Sequence, residues 1–324
     1  MATLTLTELR PRRISRSFSL QLSTATSPFL SLPIDLVLAI FQYTTSIGYT
    51  LNSLALVSKS FSKIADSVIY RAVILDSIDV VRLFHRTVKS KTRAFLTEHV
   101  RKFTVTRWHE KYTQIDINTS RTQIREILAA CPGIRVLSSP SFHWPVDLSA
   151  TQFSVGSCLT EINIQSFDPA PRAPQRPAVK FSERLTHLRI CEPSDMWCSP
   201  TSMLAQFGPL PLLSHLQLAR RANSNEANDV MFVNSIRKLL PTLPALKMLV
   251  VSIFPAYFSV NLSVQDSTIW KRMCVLREED ERIVVLSGQL KKWKEGGRVD
   301  RKGVRSEHLP QADFWIAARS AQIV

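Results

Sequence analysis

The amino-acid sequence predicts an α/β repeat protein: a small helical unit near the amino end, an irregular solenoid of strand-and-connector units, and a distinct carboxyl-terminal segment. Three observations carry this prediction. An apolar signature, Φ-x-x-Φ-x-Φ, returns along the middle of the chain with its starts 34, 25, 26, 28 and 33 residues apart. The intervals between copies hold stretches of helical apolar periodicity. The forty residues 31–70 read as short amphipathic helices rather than strands.

Composition bounds what such a chain can be. At 324 residues it is long enough for one large domain or for two or three smaller ones. Apolar residues make up 45% and charged residues 21%, with 8 Gly against 18 Pro, which excludes disordered and collagen-like classes. The formal charge of +15 favours anionic partners without choosing among acidic proteins, nucleic acid and anionic lipid. Cys131, Cys158, Cys191, Cys198 and Cys274 lack the density of a disulfide scaffold, so they are expected as reduced, buried side chains of a cytoplasmic or nuclear protein. The longest apolar run, 246–258, is broken by Lys247 and Pro255 and is too short to cross a bilayer. Residues 1–28 carry Arg10, Arg12, Arg13 and Arg16 among many Ser and Thr and are expected to form a disordered basic tail.

The first ordered element opens at Ser31-Leu32-Pro33, where a capping hydroxyl and a proline in the first turn start a helix running to about Tyr43. Ile34, Val37, Leu38 and Phe41 form one apolar stripe, while Leu36, Ile40 and Tyr43 project to the opposite side. A helix apolar on two faces must be enclosed or must present one face to a partner. Thr50 or Asn52 then caps a second helix with Leu54, Val57, Phe61, Ile64 and Val68 on a single stripe.

A short strand at 72–75 and a helix at 77–90, with Val80, Leu83, Phe84 and Val88 on one side, lead into the repeats. The signature occupies 100–105, 159–164, 185–190, 213–218 and 246–251, with a weaker copy from Ile134 in which Ser139 takes the last apolar place. Helical units are expected at 121–131 and 229–240, and Pro132, Pro211 and Pro244 end what precedes three of the strands. Units of this kind cannot close a core alone, so they stack into a curved parallel sheet backed by helices. The basic, proline-rich stretch 169–177 reads as an extended loop within the array. In the last 55 residues a helix at 269–276, a strand at 282–286 and a final helix with Phe314, Trp315 and Ala318 are expected to cap the solenoid.

No sequence pattern for catalysis emerges. The chain has no G-x-S-x-G elbow, P-loop or dinucleotide glycine motif. His187, Cys191 and Cys198 are the one close His/Cys set, and they lack the paired spacing of a zinc site. The acidic run 278–281 lacks the glycine and alternating oxygens of a calcium loop and reads as a solvated turn. We therefore expect no enzyme activity, cofactor or metal. Between Arg82 and Arg125 lie 11 basic and 3 acidic residues, with Trp108 and Tyr112 nearby, a composition that could bind nucleic acid but reads first as a solvated face.

The amino-terminal residues resemble a known family. Leu32-Pro33-x-Asp35-Leu36-x-x-x-Ile40-Phe41, then Leu54-Ala55-Leu56-Val57-Ser58-Lys59-Ser60-Phe61, then Ala65 and Tyr70-Arg71, resemble an F-box. With irregular leucine-rich-like repeats behind it, the chain is similar to the large F-box set of mushroom-forming fungi. Asp35 stands where that family usually has Glu, and Phe61 where it often has Trp. The resemblance implies an F-box at 29–72, a solenoid at 73–266 and a cap segment at 267–324. It also implies docking on a Skp-type adaptor of a cullin–RING ubiquitin ligase, with Leu32, Pro33, Leu36, Ile40, Tyr43, Val57 and Phe61 supplying contacts or internal packing. The repeats would hold a substrate protein of unknown identity. The alternative is a basic repeat protein that binds nucleic acid or serves as a scaffold outside ubiquitin transfer.

Overall fold

Phe103, Leu137, Ile162, Leu188, Leu216 and Leu249, the central apolar residues of the six repeated signatures, stand side by side in adjacent strands of one sheet. This arrangement is seen in a computed structural model, which describes residues 32–44, 50–106, 113–141, 158–167, 183–223, 225–256, 263–288 and 311–321. The strands are β1 (Ala72–Leu75), β2 (Lys102–Val105), β3 (Val136–Ser141), β4 (Glu161–Ser166), β5 (His187–Glu192), β6 (His215–Arg221), β7 (Met248–Phe254) and β8 (Ile283–Ser287). All are parallel, and each pairs with its successor in the chain. The architecture is therefore α/β, with eight strands in sequence order among the described residues.

The signature folds this way because its three apolar positions all reach one side. The second and third lie two residues apart on a strand and so share a face. The first, which is Val100, Ile134, Leu159, Leu185, Leu213 or Leu246, is buried just before the strand begins. All eighteen positions belong to one continuous core except Ser139, whose hydroxyl is satisfied by the Ser141 carbonyl at 2.8 Å. The structure adds two variants. Tyr70, Val73 and Leu75 complete the pattern at β1, and at β8 the first position is Asp280, whose carboxylate takes the Arg282 guanidinium at 2.6 Å.

Helices α4 (Ile78–Ser90), α5 (Arg93–His99), α6 (Gln114–Ala130), α7 (Pro200–Ala205), α8 (Glu226–Leu239) and α9 (Thr268–Glu279) supply the rest of that core and define the back face of the sheet. Each opens on a side-chain cap: Ser77, Thr92, Thr113, Ser199, Asn225 and Ser267 each accept a backbone N–H of the first turn. Two expectations are corrected here. Capped by Thr113, α6 starts at Gln114, seven residues before the anticipated Arg121. In α4 the buried residues are Ile78, Val81, Phe84 and His85, so Leu83 faces solvent. The His85 ring lies on the buried face with Ile78, Val81 and Phe84 and meets Glu126 of α6 at 2.6 Å.

Successive units are also stitched at the strand entrances. The carbonyls of Arg71, Arg101, Arg135, Thr160, Thr186 and Ser214 each accept two backbone amides from the following unit. Across three of these steps a hydroxyl repeats the bond: Thr160 donates to Arg135 O at 3.2 Å, Thr186 to Thr160 O at 3.0 Å, and Ser214 to Thr186 O at 3.0 Å.

The carboxyl-terminal segment is placed differently from a simple end cap. α9 and β8 continue the helix layer and the sheet by one more unit. The last helix, α10 (Gln311–Ser320), lies on the front face, where Trp315 and Ala318 pack with Met248, Val250 and Val284. The basic tail 1–28, the proline-rich stretch 169–177, Trp108, Tyr112 and Trp293 lie outside the described residues.

Candidate protein-docking surface

The amino-terminal unit consists of α1 (Ile34–Thr44), α2 (Thr50–Ala55) and α3 (Lys59–Ile69). Its start is set by Pro33, whose carbonyl accepts the Leu36 and Val37 amides at 3.0 and 3.2 Å. Where one continuous second helix was expected, the chain breaks at Leu56-Val57. The Ser58 hydroxyl accepts the Phe61 amide at 3.1 Å and begins α3 afresh. A Ser favours this role because its oxygen competes for backbone donors better at a cap than inside a helix. The break removes Val57 from the apolar stripe and leaves it 65% exposed beside Leu56 at 88%.

The core of this unit is small: Val37, Leu51, Phe61, Ala65 and Val68, with Leu38, Leu54, Ala55, Ile64 and Ile69 packed around it. Phe61 is thus an internal packing residue. On α1, Val37 alone of the described side chains is buried, whereas Leu36 is 53% and Ile40 39% exposed. Leu32 and Pro33, just ahead of the helix, are exposed as well. Leu36 and Ile40 stand four residues apart on α1, a spacing that keeps side chains on one side of a helix, with Leu32 exposed just ahead of it. The backbone of Tyr43 belongs to α1, but its side chain lies outside the described residues. Full burial of a Leu or Ile is worth about 1.5–3 kcal/mol, so each of these side chains retains a sizeable fraction of that for a partner.

The unit is held against the repeats through Tyr70 and Lys91. Tyr70 packs on Phe95 with ring centroids 5.4 Å apart and on Phe84 at 6.4 Å. Lys91 lies 4.7 Å over the Phe95 ring and donates to Asp66 of α3 at 2.9 Å, a bond that raises its pKa above the ordinary lysine value. The exposed side chains of α1 are therefore carried on an oriented platform.

Other residues singled out by the sequence fall elsewhere. Within the basic region Arg82 is paired with Asp79 and Asp116, and Arg101 donates to the Gly133 carbonyl. Arg86 and Lys89 remain on the exposed side of α4 beside Leu83. His187 and Cys191 are both on β5 and Cys198 follows it; burial raises the Cys198 thiol pKa. Among the described residues no three His, Cys, Asp or Glu side chains come together as metal ligands, and no helix is long and apolar enough to cross a membrane. A cleft of about 820 Å³ opens at the carboxyl ends of β5 and β6, between Trp197 and Asn228 and above Met203 and Phe232.

One arrangement escaped sequence reasoning. On the front face His187 and His215 stack with ring centroids 4.4 Å apart, and Trp315 of α10 contacts both, at 5.7 and 5.1 Å. Thr186 and Ser214, each already donating to a carbonyl, lie 2.8 and 2.9 Å from Nδ1 of the following histidine. With the hydroxyl proton committed, Nδ1 is the donor and Nε2 carries the lone pair on both rings. Arg189 sits 3.9 Å over the Phe314 ring and donates to Gln217, which donates in turn to Ser252. The repeated Leu-Thr-His-Leu and Leu-Ser-His-Leu at 185–188 and 213–216 were the available signal.

Comparison with protein-family models and with curated proteins returns no match.

Proposed function

We propose that this chain is a recruiting subunit of a Skp/cullin/F-box type ubiquitin ligase, with α1–α3 docking on the Skp-type adaptor and the repeats holding a target protein. The observation that carries the reading is the division of α1, in which Val37 closes the unit's own core while Leu36 and Ile40 are left in water. Exposed apolar side chains at helical spacing, on a unit tied to the repeats through Tyr70 and Lys91, are the chemistry of a protein-docking face. The quoted F-box-like motif supports the same assignment. In this role the chain forms no bonds itself: it raises the effective concentration of target lysines near a charged enzyme supplied by other subunits.

The experiment is co-purification with a Skp-type adaptor. Leu36→Asp is expected to weaken adaptor binding by about 30-fold or more, corresponding to ~2 kcal/mol at a central apolar anchor. Because Leu36 is exposed in the isolated chain, the variant should melt like the wild type. Equal retention of the adaptor by both proteins would remove the proposal.

A further inference from the structure

The cleft at the carboxyl ends of β5 and β6 is charge-balanced in a chain whose formal charge is +15. Its charged lining is Asp195, Arg220 and Arg221, and Asp229 is bonded to Arg220, so two acids meet two cations among the described residues. The volume of about 820 Å³ falls within the roughly 300–1,000 Å³ of ligand pockets. Phe232 and Met203 form a buried apolar floor, whereas Met196 on the wall is 58% exposed and Trp197 is half-buried.

Each part of this lining suits one feature of a peptide segment with an aromatic side chain. Thioether sulfur makes favourable contacts with aromatic rings, and Met196 and Met203 bring two of the chain's six methionines to the cleft beside Trp197 and Phe232. Arg220 is held by bonds from Nε and Nη2 to Asp229 at 3.0 and 2.8 Å, which take only part of the donor set of a guanidinium. A neutral carbonyl can accept from the remaining donors, whereas a carboxylate would bring a second anion beside Asp229. Asn223 and Asn228 also line the cleft, the first in the turn after β6 with a left-handed φ of 52°. A primary amide donates and accepts at once, as the alternating N–H and C=O of a peptide backbone require.

We propose that this cleft binds an extended, uncharged segment of a partner protein, seating an aromatic side chain over Met203 and Phe232 and a backbone carbonyl against Arg220. A charged side chain in the same position would lose its hydration over an apolar floor, with the cations and acids of the lining already matched. As the target-recognition site of a ligase subunit the cleft rests on the proposed function, but binding of the segment itself does not involve α1.

The test titrates the full chain with two neutral probes, N-acetyl-phenylalanine N-methylamide and the peptide acetyl-Gly-Gly-Phe-Gly-Gly-amide, and follows the methionine ε-methyl signals by NMR. The signals of Met196 and Met203 should shift and saturate, while those of Met248 and Met273, which belong to other clusters of the fold, stay in place. The peptide should bind at least 5-fold more tightly than the single residue, because its flanking peptide groups reach Asn223 and Asn228. Asp in place of the peptide's Phe should remove the shifts. Asn228→Trp, which fills the mouth, should weaken the peptide at least 10-fold. Met196→Glu, at an exposed site, should weaken it as well and keeps the test open if the first variant does not fold. The Leu36→Asp chain should bind the peptide as the wild type does, so failure at the adaptor and failure at the cleft are read separately. No saturable shift at Met196 and Met203, or tighter binding of the Asp peptide, overturns the proposal. Equal affinity for the two probes also overturns it, because the cleft would then hold a single small molecule rather than a length of chain.

Discussion

His187 and His215 lie face to face across neighbouring strands, their ring planes 9° apart and their centroids 4.4 Å apart. Burial, assisted by the adjacent His215 ring, pushes His187 down to about 4, and burial together with Lys247 and Arg319 lowers His215 as well. An unfolded chain titrates both rings near their ordinary value of about 6.5. Below that pH the unfolded state binds protons that the folded state refuses. Stability from this pair is therefore complete above about pH 6.5 and is lost as pH falls toward 4. The urea midpoint should drop steadily between pH 7 and pH 4.5, and His215→Gln should show a smaller drop over the same range. A midpoint that is flat from pH 7 to pH 5 would contradict the assignment.

Asp229 is the first-turn carboxylate of α8 and is almost fully buried. It accepts Arg220 Nε and Nη2 at 3.0 and 2.8 Å and Thr268 Oγ1 at 2.9 Å, tying β6, α8 and α9 together. Arg220 also lies 4.8 Å over the Trp197 ring, so its charge has little access to water. Removing the carboxylate strands that cation. Asp229→Ala should cost about 3–5 kcal/mol in chemical denaturation. A loss below about 1 kcal/mol would mean that water reaches the guanidinium.

Gly133 occupies the turn between α6 and β3, where a Cβ would collide with the backbone carbonyl of Thr97. The same residue's carbonyl accepts Arg101 at 3.1 Å, so the turn is held from two sides. A collision with backbone cannot be relieved by a rotamer change. Gly133→Ala should destabilise the chain by about 1–3 kcal/mol, read as a lower urea midpoint with an unchanged slope. An unchanged midpoint would show that α5 moves aside freely.

Much of the fold was legible because the signature states the same physical instruction six times. Ile162 and Ile164, for example, share one face of β4 by strand geometry, and Leu159 joins the same core just before the strand. Local competition was harder to read. Ser58 breaks what looked like one helix because a side-chain cap outweighs the continuation of an apolar stripe, and the stripe gave no hint of it. In α4 the buried face is Ile78, Val81, Phe84 and His85, a stripe that includes a histidine and leaves Leu83 out, so apolar residue type alone pointed to the wrong side. The placement of α10 was illegible for a related reason. Trp315 meets residues from β5 to β8, and no local pattern names partners so far back in the chain. At the docking surface the exposure of Leu36 was anticipated from the wheel, whereas the exposure of Val57 followed from the unanticipated break.

Among the described residues, each strand of the sheet pairs only with its neighbours in chain order. Adding or deleting one whole module between two others thus changes the length of the sheet without rerouting any existing connection. The family tree of such a protein can grow by duplication in the middle, with each newcomer needing only to match the pitch of its two neighbours. Such growth between the amino-terminal helices and β5 would leave the Trp315 socket intact while moving it farther from α1, adjusting the reach between the two ends of the molecule in steps of one module.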